Sequence, residues 1–483
     1  MFDVTVIGCG VVGALTAREL TKYKIKVCML EKENDVAMGA SKANSGIVHA
    51  GFDAVPGTLK AKFNVKGNRM MPALCKSLGV KYKNNGSMVI AFDKDDLRIL
   101  DMLMLRGEKN GVRGLEIIDG DRAREIEPSL SGKVIGALYA PSGGIVCPYG
   151  LTIAAAGNAM DNGAKLKLNF EVSEIKTLAD GSYEILSSSG DCVKTKYIIN
   201  CAGLYADKIA SLAGDNSFSL RPRAGEYMIL DKSVSGLCSS TIFRTPTAMG
   251  KGILVSPTVD GNIILGPTSA DISDKEDTST TPKGLEKIAS QAFEDIPGIP
   301  LKNVITSFAG LRAVGDTGDF IIKESAKNFI TLAGIESPGL TSSPAIAKYA
   351  VDLLKKKCGM TAEKNPDFNG KRKAYYKFSE MTPAAKNRII KKIPDFGTIV
   401  CRCEGITKGE ITDALKANPK PTDLDGIKRR TRAGMGRCQG GFCSPAAVKL
   451  IADYLGIPIE QVTKCGSGSE ITLKKDTLSP FDR

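Results

Sequence analysis

The sequence predicts a protein of mixed α/β and α+β class. A Rossmann-type nucleotide-binding domain is interleaved with an antiparallel-sheet domain, and a small helical domain follows. Three observations predict this arrangement: a strand, glycine turn and helix at the start, short alternating strands in the middle, and four closely spaced cysteines near the C-terminus. A chain of 483 residues is long enough for two or three domains with substantial cores.

The opening segment, FDVTVIGCGVVGALTAREL, carries the nucleotide-binding signal. Residues 3–7 are apolar and β-branched, which predicts a buried strand. Residues 12–22 predict the helix that follows, and residues 26–31 predict a second strand. This order is the first half of a parallel βαβ unit.

Three glycines and one acid give this unit its chemistry. Gly8 permits a tight turn, Gly10 lets the backbone approach a pyrophosphate, and Gly13 allows close helix–strand packing. The helix N-terminus then faces the phosphate charge. Glu31 ends the second strand 18 residues after Gly13, where an acceptor for ribose hydroxyls belongs. An acid there disfavours a 2′-phosphate, so FAD or NAD is favoured over NADP.

Later segments favour FAD. Residues 40–51 form a loop of small residues, suited to backbone lying against a bulky planar cofactor. Residues 197–203 predict a third strand of the same sheet, so a single Rossmann unit is split by long insertions, the layout of FAD-linked two-domain oxidoreductases. We expect the cofactor contacts to be Gly8, Gly10, Gly13, Glu31, Ser41, Asn44, Ser45, Val172, Ala202, Gly203, Gly339, Leu340 and Thr341.

The two large domains are expected to be discontinuous. Alternating apolar residues between Gly, Pro and Asp turns predict short antiparallel strands, which would form a substrate domain. The expected bounds are 81–145 and 216–304 for the substrate domain, and 1–80, 146–215 and 305–357 for the FAD-binding domain.

Further predictions concern the last third of the chain. A helix is expected to begin near Thr341 with its N-terminus towards the cofactor, where its dipole would stabilise an anionic reduced flavin. Residues 358–395 are polar and lysine-rich and predict a linker or surface strap. The cysteine domain is expected at 396–465, and a loosely held tail at 466–483.

Four cysteines predict a metal centre. They read C-x-C, then 34 residues, then C-x4-C, and are Cys401, Cys403, Cys438 and Cys443. The C-x-C half is tight for zinc but suits one iron of a two-iron cluster, although the spacing lies outside the usual ferredoxin patterns. The glycines of GMGRCQGGFC leave backbone N–H groups free to point at sulfurs. The residues favour [2Fe-2S], with zinc and a thiol relay as alternatives, framed by helices at 408–418 and 445–455.

His49 is the single histidine of the chain and lies in the small-residue loop. Dehydrogenation of an alcohol needs a base for the hydroxyl proton, and imidazole has a suitable pKa near neutrality. His49 is therefore the candidate catalytic base. A purely structural histidine is the alternative.

Composition and charge exclude some classes of function. The formal charge is +13, but only 6% of the residues are aromatic, which disfavours nucleic-acid binding and favours an anionic small substrate or an acidic partner. No apolar run reaches the roughly 18–20 residues of a membrane span, and the first residues already predict a strand rather than a signal peptide. We expect a cytoplasmic protein, in which the other nine cysteines are buried or inert thiols.

Two sets of motifs resemble a known family. The segment VCRCEGIT and the segment RRTRAGMGRCQGGFCSP resemble the bacterioferritin-associated-ferredoxin-like [2Fe-2S] domain, above all in the tail of anaerobic glycerol-3-phosphate dehydrogenases. The segments SGIVHAG and PGTLKAK, at 45–51 and 56–62, resemble FAD-dependent 2-hydroxyglutarate and glycerol-3-phosphate dehydrogenases of the glycine-oxidase-like superfamily. Weaker likenesses lie at 222–227, 261–268 and 308–312.

The resemblance implies roles for three residues. It places His49 at the substrate as the base, with covalent attachment of flavin, seen in relatives that oxidise methylated glycines, as the alternative. It places Arg312 in the substrate pocket, where a guanidinium grips a phosphate or carboxylate bidentately, a surface arginine being the alternative. Lys251 is a second, weaker candidate for contact with the anion.

The expected function is an FAD-dependent dehydrogenase for a small anionic secondary alcohol, with sn-glycerol 3-phosphate favoured. Electrons would pass through the cluster to a partner subunit or quinone, and a partner would provide any peripheral membrane association. Residues 334–343 resemble the hydroxyglutarate branch, so L-2-hydroxyglutarate is an alternative substrate. The sequence is also compatible with an amine or amino-acid dehydrogenase subunit, and with an electron-transfer subunit whose own pocket is unused.

Overall fold

The structure is a computed structural model that describes residues 1–246 and 252–472. Its helices are α1 (Val11–Leu20), α2 (Leu59–Leu78), α3 (Lys94–Asn110), α4 (Gly120–Ile126), α5 (Pro148–Asp161), α6 (Ala206–Ser211), α7 (Pro282–Asp295), α8 (Gly339–Lys357), α9 (Pro383–Lys392), α10 (Lys408–Lys416), α11 (Leu424–Thr431) and α12 (Ser444–Leu455). Its strands are β1 (Phe2–Ile7), β2 (Val27–Leu30), β3 (Ile47–Val48), β4 (Tyr82–Lys83), β5 (Ser87–Ala91), β6 (Glu116–Asp119), β7 (Gly136–Ala140), β8 (Gly144–Val146), β9 (Lys165–Lys167), β10 (Val172–Thr177), β11 (Tyr183–Ser187), β12 (Cys192–Asn200), β13 (Leu220–Leu230), β14 (Thr241–Arg244), β15 (Leu254–Pro257), β16 (Ile263–Gly266), β17 (Ala270–Asp271), β18 (Val304–Gly315), β19 (Ile321–Ala326), β20 (Phe329–Ala333), β21 (Ile399–Cys401) and β22 (Ile406–Thr407).

The first sheet is the predicted Rossmann-type sheet. Parallel strands β20, β12, β1, β2 and β9 lie side by side, and Val6 of β1 is in register with Ile199 of β12 and Met29 of β2. The β10–β11 hairpin pairs with β12, and β19 pairs antiparallel with β20. Helix α1 packs against α5 and α8 through small side chains, among them Ala14, Ala17 and Ala155. This close packing fixes the N-terminus of α1 at the carboxyl ends of the strands, where ligands bind in such sheets.

The second sheet is predominantly antiparallel, as predicted for the substrate domain. Its order is β17, β13, β16, β15, β14, β5, β7 and β6, with one parallel pair between β14 and β5. Both faces of β5 are buried. Because successive side chains of a strand point to opposite faces, alternate residues of β5 pack in two different cores. Met88 and Ile90 join a core with α7, whereas Val89 and Ala91 join a core with α3.

The position of β18 corrects one predicted domain boundary. Residues 305–315 were expected in the FAD-binding domain, but β18 pairs antiparallel with β13 from Leu220↔Gly315 to Leu230↔Val304. Because this ladder runs along nearly the whole strand, β18 belongs to the second sheet. The chain returns to the first sheet at β19 and β20, before α8. One strand of the substrate domain therefore leads directly into the cofactor domain.

A small third sheet lies at two other predicted boundaries. Strand β8 pairs with β3 through Ile47↔Ile145 and with β4 through Tyr82↔Val146. The predicted boundary at 80/81 therefore lies just before β4, and the boundary at 145/146 lies within β8. Both strands belong to this sheet. This sheet also fixes the end of β3, and His49 follows directly after that end.

The predicted strap, residues 358–395, runs over the surface of the first domain. The Arg372 N–H donates to the Ser77 carbonyl at 2.8 Å, its Nη1 donates to the Ile153 carbonyl at 3.1 Å, and Arg18 Nη2 donates to the Gly370 carbonyl at 3.0 Å. The strap ends in α9, a helix the sequence did not predict. These hydrogen bonds hold the segment that leads into the cysteine domain.

The cysteine domain is helical, with the short β21–β22 hairpin at its start. Its core contains Ile411 of α10, Ile427 of α11, and Val448 and Ile451 of α12. Helices α10 and α12 confirm the predicted helices at 408–418 and 445–455 within a few residues. Helix α11 was not predicted, because its LDGIKRRT sequence is too polar for an apolar period. Across the described ranges, none of the helices is long and apolar enough to cross a bilayer.

Candidate cofactor and substrate site

A cavity of about 1310 Å³ brings most of the predicted site residues together. Its wall is formed by the β1–α1 turn, the small-residue loop, strand β18 and the start of α8. His49 and Arg312 line the same cavity as the predicted cofactor contacts Gly8, Gly10, Glu31, Ser41, Asn44, Ser45, Val172, Ala202, Gly203, Gly339 and Leu340. Segments separated by up to 332 positions in the sequence, such as Gly8 and Leu340, therefore form one site.

The β1–α1 turn has the backbone that a pyrophosphate requires. Gly8 has φ +95°, and a Cβ there would lie 2.5 Å from the Cys201 carbonyl oxygen. At Gly13 a Cβ would lie 1.9 Å from the Gly8 carbonyl oxygen. Gly13 therefore serves close helix–strand packing, as predicted, and lies outside the cavity lining. The N-cap residue of helix α1 is Gly10, which has no side chain to cap the helix. The Val11 N–H instead donates to the Ser41 hydroxyl at 2.8 Å.

Glu31 lies at the end of β2, in the position expected for binding ribose hydroxyls. Its carboxylate accepts from the Cys9 N–H at 2.8 Å and from the Glu33 N–H at 3.2 Å. Burial raises the pKa of Glu31 to about 7, against the opposing effect of these two N–H donors. The acid identified from its spacing is therefore buried, and its pKa lies near neutral pH.

His49 is held through its backbone and stacked through its ring. Its N–H donates to Thr341 Oγ1 at 2.9 Å, and its carbonyl accepts from Asn64 Nδ2 at 2.9 Å. The imidazole stacks on Phe243 with ring centroids 5.8 Å apart, and Nε2 lies 3.4 Å from Ser337 Oγ. The backbone contacts hold the loop independently of the imidazole, while the contacts with Phe243 and Ser337 position the ring itself.

Thr341 differs from its predicted role as a cofactor contact. It is fully buried and lies outside the cavity lining. Its hydroxyl accepts from the His49 N–H and donates to the Ile47 carbonyl at 3.3 Å. Helix α8 begins two residues earlier than expected, at Gly339, so Gly339 and Leu340 reach the cavity while Thr341 faces the histidine loop.

Arg312 reaches the cavity from β18. Its Nη2 donates to the Thr268 carbonyl at 3.3 Å, and a Cβ on Gly225 would lie 2.6 Å from the same nitrogen. Gly225 therefore makes room for the guanidinium. Tyr227 hydrogen-bonds to Arg312 and Ser45; burial raises the pKa of its hydroxyl against the effect of these contacts. A chain of contacts thus connects Arg312 with the loop that carries His49.

The sequence interpretation missed Tyr227 and Phe243 as parts of the site. Tyr227 lies in the family-like stretch 222–227, so a signal existed at that position. Phe243 lies in β14, in an ordinary apolar strand pattern that carries no such signal. Lys251, the weaker candidate for anion contact, lies outside the described residues.

The four predicted metal ligands lie in one part of the cysteine domain. Cys403 Sγ lies 3.6 Å from Cys438 Sγ, and Cys443 hydrogen-bonds to Cys401. Cys401 and Cys443 are 1% and 3% exposed, whereas Cys403 is exposed. In the described part of the chain, no group of three or more His, Cys, Asp or Glu side chains is arranged to hold a metal ion.

The loop around Cys438 fits an anionic iron–sulfur cluster. Backbone N–H groups of Phe442, Gly440 and Gly441 donate to Cys438 Sγ and lower its pKa, with Phe442 contributing most. A Cβ on Gly436 would lie 2.4 Å from the Cys403 Cβ, so this glycine permits the close approach of the two cysteine loops. Donors aimed at sulfur stabilise thiolate ligands and tune a cluster. The predicted role of the GMGRCQGGFC glycines agrees with this geometry.

The cysteine domain is docked against both other domains. Asp35 accepts from Arg430 at 2.8 and 2.9 Å and from Arg429 at 2.7 Å, all three residues being buried. Burial opposes ionisation of Asp35, but the two guanidinium groups hold its pKa below the usual value. On the substrate domain, Lys232 lies 2.6 Å from Glu404 and Arg437 lies 3.3 Å from Asp231. These pairs fix the cluster domain in one position.

Met435 connects the cluster loop with the cavity. It lies three residues before Cys438, and the Tyr149 hydroxyl donates to Met435 Sδ at 3.5 Å. Both Tyr149 and Met435 line the cavity. The cysteine loop therefore reaches the wall of the same cavity that holds the predicted cofactor contacts.

The comparison with known families identifies the cofactors of the chain. A family model described as "FAD dependent oxidoreductase" matches residues 3–353, and one described as "BFD-like [2Fe-2S] binding domain" matches residues 399–453. The chain belongs to the FAD-dependent oxidoreductase family. It carries FAD and a [2Fe-2S] cluster, so the cofactor and cluster predictions are confirmed.

Relatives and solved structures agree with this assignment. The chain is 48% identical over 473 residues to a glycerol 3-phosphate dehydrogenase of Caloramator mitchellensis, covering 98% of each chain. It is 30% identical to a mitochondrial L-2-hydroxyglutarate dehydrogenase of Caenorhabditis elegans, covering 72% of this chain and 92% of the relative. A reduced, FAD-bound L-alpha-glycerophosphate oxidase from Mycoplasma pneumoniae has a TM-score of 0.73 at 33% identity, covering 77% of this chain and 98% of the oxidase.

The titration of Glu31 predicts a pH-dependent affinity for FAD. Ribose hydroxyls donate to an ionised carboxylate, and the pKa of Glu31 is about 7 in the cofactor-free protein. Affinity should therefore increase as the pH rises from about 6 to 8, by at most about tenfold per pH unit. Calorimetric titration of the apoprotein with FAD measures this slope. Glu31→Gln should flatten it and Glu363→Gln, at an exposed carboxylate, should preserve it; a flat wild-type profile would contradict the assigned role.

Proposed function

We propose that this FAD-dependent oxidoreductase oxidises sn-glycerol 3-phosphate to dihydroxyacetone phosphate and delivers the electrons to a separate acceptor. The observation that carries the proposal is the 48% identity to a glycerol 3-phosphate dehydrogenase along 98% of both chains. The joint presence of His49 and Arg312 on one cavity supports it, because this chemistry needs a base and an anion anchor.

Different residues of the cavity act on different groups of the substrate. Arg312 binds the phosphate, since a guanidinium offers two parallel donors to an oxyanion. His49 accepts the proton of the C2 hydroxyl as the carbonyl forms at C2. FAD, when bound, supplies the hydride acceptor for the C2 hydrogen. Tyr227 and Phe243 orient these two groups through the contacts with Arg312 and with the His49 ring. The hydroxyl group thus loses one proton and C2 loses one hydride.

Electrons leave at an exposed face of the cluster domain. Cys403 is exposed, and Phe442, directly before Cys443, is 85% exposed. Arg402 and Arg437 are exposed beside these cysteines. An exposed apolar ring on a face with exposed arginines, of which Arg437 is paired with Asp231, favours an acidic protein as acceptor. Complementary charge steers association, and an aromatic side chain anchors the partner once it is buried. We therefore propose an acidic electron-transfer protein as the partner.

Removal of the Phe442 ring should slow this delivery. Phe442→Ser should lower the rate of electron transfer to an acidic carrier, for example oxidised flavodoxin, by about tenfold or more. Reduction of ferricyanide, a small acceptor, should be unchanged. Ile459→Ser is the matched control, since Ile459 is 43% exposed beyond the opposite end of α12. Equal rates for wild type and Phe442→Ser with the protein carrier would rule out this face.

L-2-hydroxyglutarate is the second candidate substrate. The Caenorhabditis elegans relative and the loop at 334–343 favour it, and Arg312 could bind a carboxylate as it binds a phosphate. Anaerobic mixing of the enzyme with glycerol 3-phosphate, L-2-hydroxyglutarate and proline separates the candidate substrates by the loss of flavin absorbance. We expect bleaching at the lowest concentration with glycerol 3-phosphate. Preferential bleaching by another compound would overturn the substrate assignment, and bleaching by none would favour a subunit whose pocket is unused.

A further inference from the structure

Part of the cavity wall belongs to the cluster domain. Beside the expected residues of the FAD-binding domain, the lining includes Asp425, Lys428 and Arg429 of α11, and Lys464 and Cys465 of a bend beyond α12. The segment matched by the FAD dependent oxidoreductase model ends at residue 353. These residues are therefore additional to the flavin domain itself.

Arg429 is the most informative of these residues. It is 8% exposed, and its Nη2 donates to Asp35 Oδ2 at 2.7 Å. Its Nε is buried and has no hydrogen-bond partner among the described residues. A buried charged donor without a partner is costly, and each such group calls for an explanation. The Nε itself is not accessible from the cavity, but Arg429 lies on the cavity wall and shares the single carboxylate of Asp35 with Arg430. An anionic ligand would compensate the remaining positive charge.

The position of Arg429 identifies which half of the cofactor it meets. Its partner Asp35 lies four residues after Glu31, the predicted acceptor for ribose hydroxyls. Glu31, Lys32 and Glu33 line the cavity together with α11. This end is consequently the one expected for the adenosine ribose and the pyrophosphate. Both groups are rich in acceptor oxygens, and the pyrophosphate is anionic, which suits a guanidinium.

We propose that the Arg429 guanidinium binds FAD at the ribose or pyrophosphate, so that the cluster domain completes the flavin site. One guanidinium then joins the cofactor to Asp35 and hence to the interface between the two domains. By linkage, FAD binding stabilises the docked position of the cluster domain, and docking increases the affinity for FAD to the same extent. The proposal does not depend on the identity of the substrate.

Three variants of the full chain test the proposal, each carrying its cluster and freed of FAD. FAD binding is measured by the quenching of flavin fluorescence, and the visible absorbance of the cluster reports on the integrity of its domain. Arg429→Met should raise the Kd for FAD by about tenfold to a hundredfold, the loss expected for a hydrogen bond from a charged donor. Arg388→Met, at an exposed arginine of α9, should leave the Kd unchanged.

Asp35→Asn separates direct binding from domain docking. This change weakens the attachment of both arginines, so it should lower the Tm and, by the same linkage, raise the Kd for FAD. The increase should be no larger than in Arg429→Met, because Arg429 is still present. A wild-type Kd in Arg429→Met would overturn the proposal, and so would a wild-type Kd in Asp35→Asn at a lowered Tm, because docking would then not contribute to FAD binding. Hydrogen–deuterium exchange of the wild type gives a test that needs no variant: FAD should slow exchange in residues 424–431, and unchanged exchange there would contradict the contact.

Discussion

Replacing His49 with alanine should lower the rate at which substrate reduces the flavin by about 100- to 10,000-fold, the range for loss of a general base. FAD should remain bound, because the backbone of residue 49 makes the contacts with Thr341 and Asn64 that hold the loop. Anaerobic stopped-flow mixing with glycerol 3-phosphate measures the rate. Wild-type bleaching in His49→Ala would refute the assignment of the base.

Added imidazole distinguishes a base from a structural ring. A small imidazole can occupy the space left by the side chain and accept the hydroxyl proton, so it should restore part of the rate in His49→Ala. Thiophene can fill the same space and stack on Phe243 but cannot accept a proton, so it should restore none of the rate. Acid precipitation tests the alternative of covalent attachment: FAD should be released from the wild type, whereas FAD retained by the protein would favour attachment at His49.

Removal of the Arg312 guanidinium should mainly weaken substrate binding. Arg312→Met should raise the Kd for glycerol 3-phosphate by about 10- to 150-fold, the range expected for a charge-assisted hydrogen bond to an anion. Arg312→Lys should recover part of the affinity, because it keeps the charge but loses the planar fork. Titration of flavin bleaching against substrate concentration measures both effects.

Arg221 provides a matched control for Arg312. It lies on β13, which pairs with the strand of Arg312, but it is solvent-exposed and outside the cavity lining. Arg221→Met removes the same charge from a neighbouring strand and should leave the Kd unchanged. Equal effects of the two changes would show that Arg312 acts through the general positive field of the protein rather than by contact.

Local chemistry made much of the site predictable from the sequence. The roles predicted for the turn glycines, Glu31 and the cysteines depend on backbone geometry or ligand type within short segments, and the positions of Gly8 and Glu31 are compatible with those roles. His49 was identifiable because it is the single histidine of the chain. Its location on the cavity wall agrees with the predicted role, which the variants above test.

Other parts of the site depend on long-range contacts that have no local signal. The sheet to which β18 belongs is decided by its pairing with β13, some 80 residues earlier in the chain. The contact of Phe243 with His49 arises from a strand pattern that describes any buried strand. Arg429 lies in a short polar segment without apolar periodicity, and its meaning emerges only when α11 is docked on Asp35. The sequence interpretation therefore failed where segments that are distant in the sequence contact each other.

The central claim is that one chain oxidises the substrate and passes the electrons through its own cluster. Anaerobic addition of one equivalent of glycerol 3-phosphate to the wild-type enzyme tests it most directly, with flavin absorbance and the electron paramagnetic resonance of the cluster followed on the same sample. We predict that flavin absorbance falls first and that the signal of the reduced cluster then appears without any added mediator. Unchanged flavin absorbance, or a bleached flavin beside a cluster whose reduced signal never appears, would contradict the account.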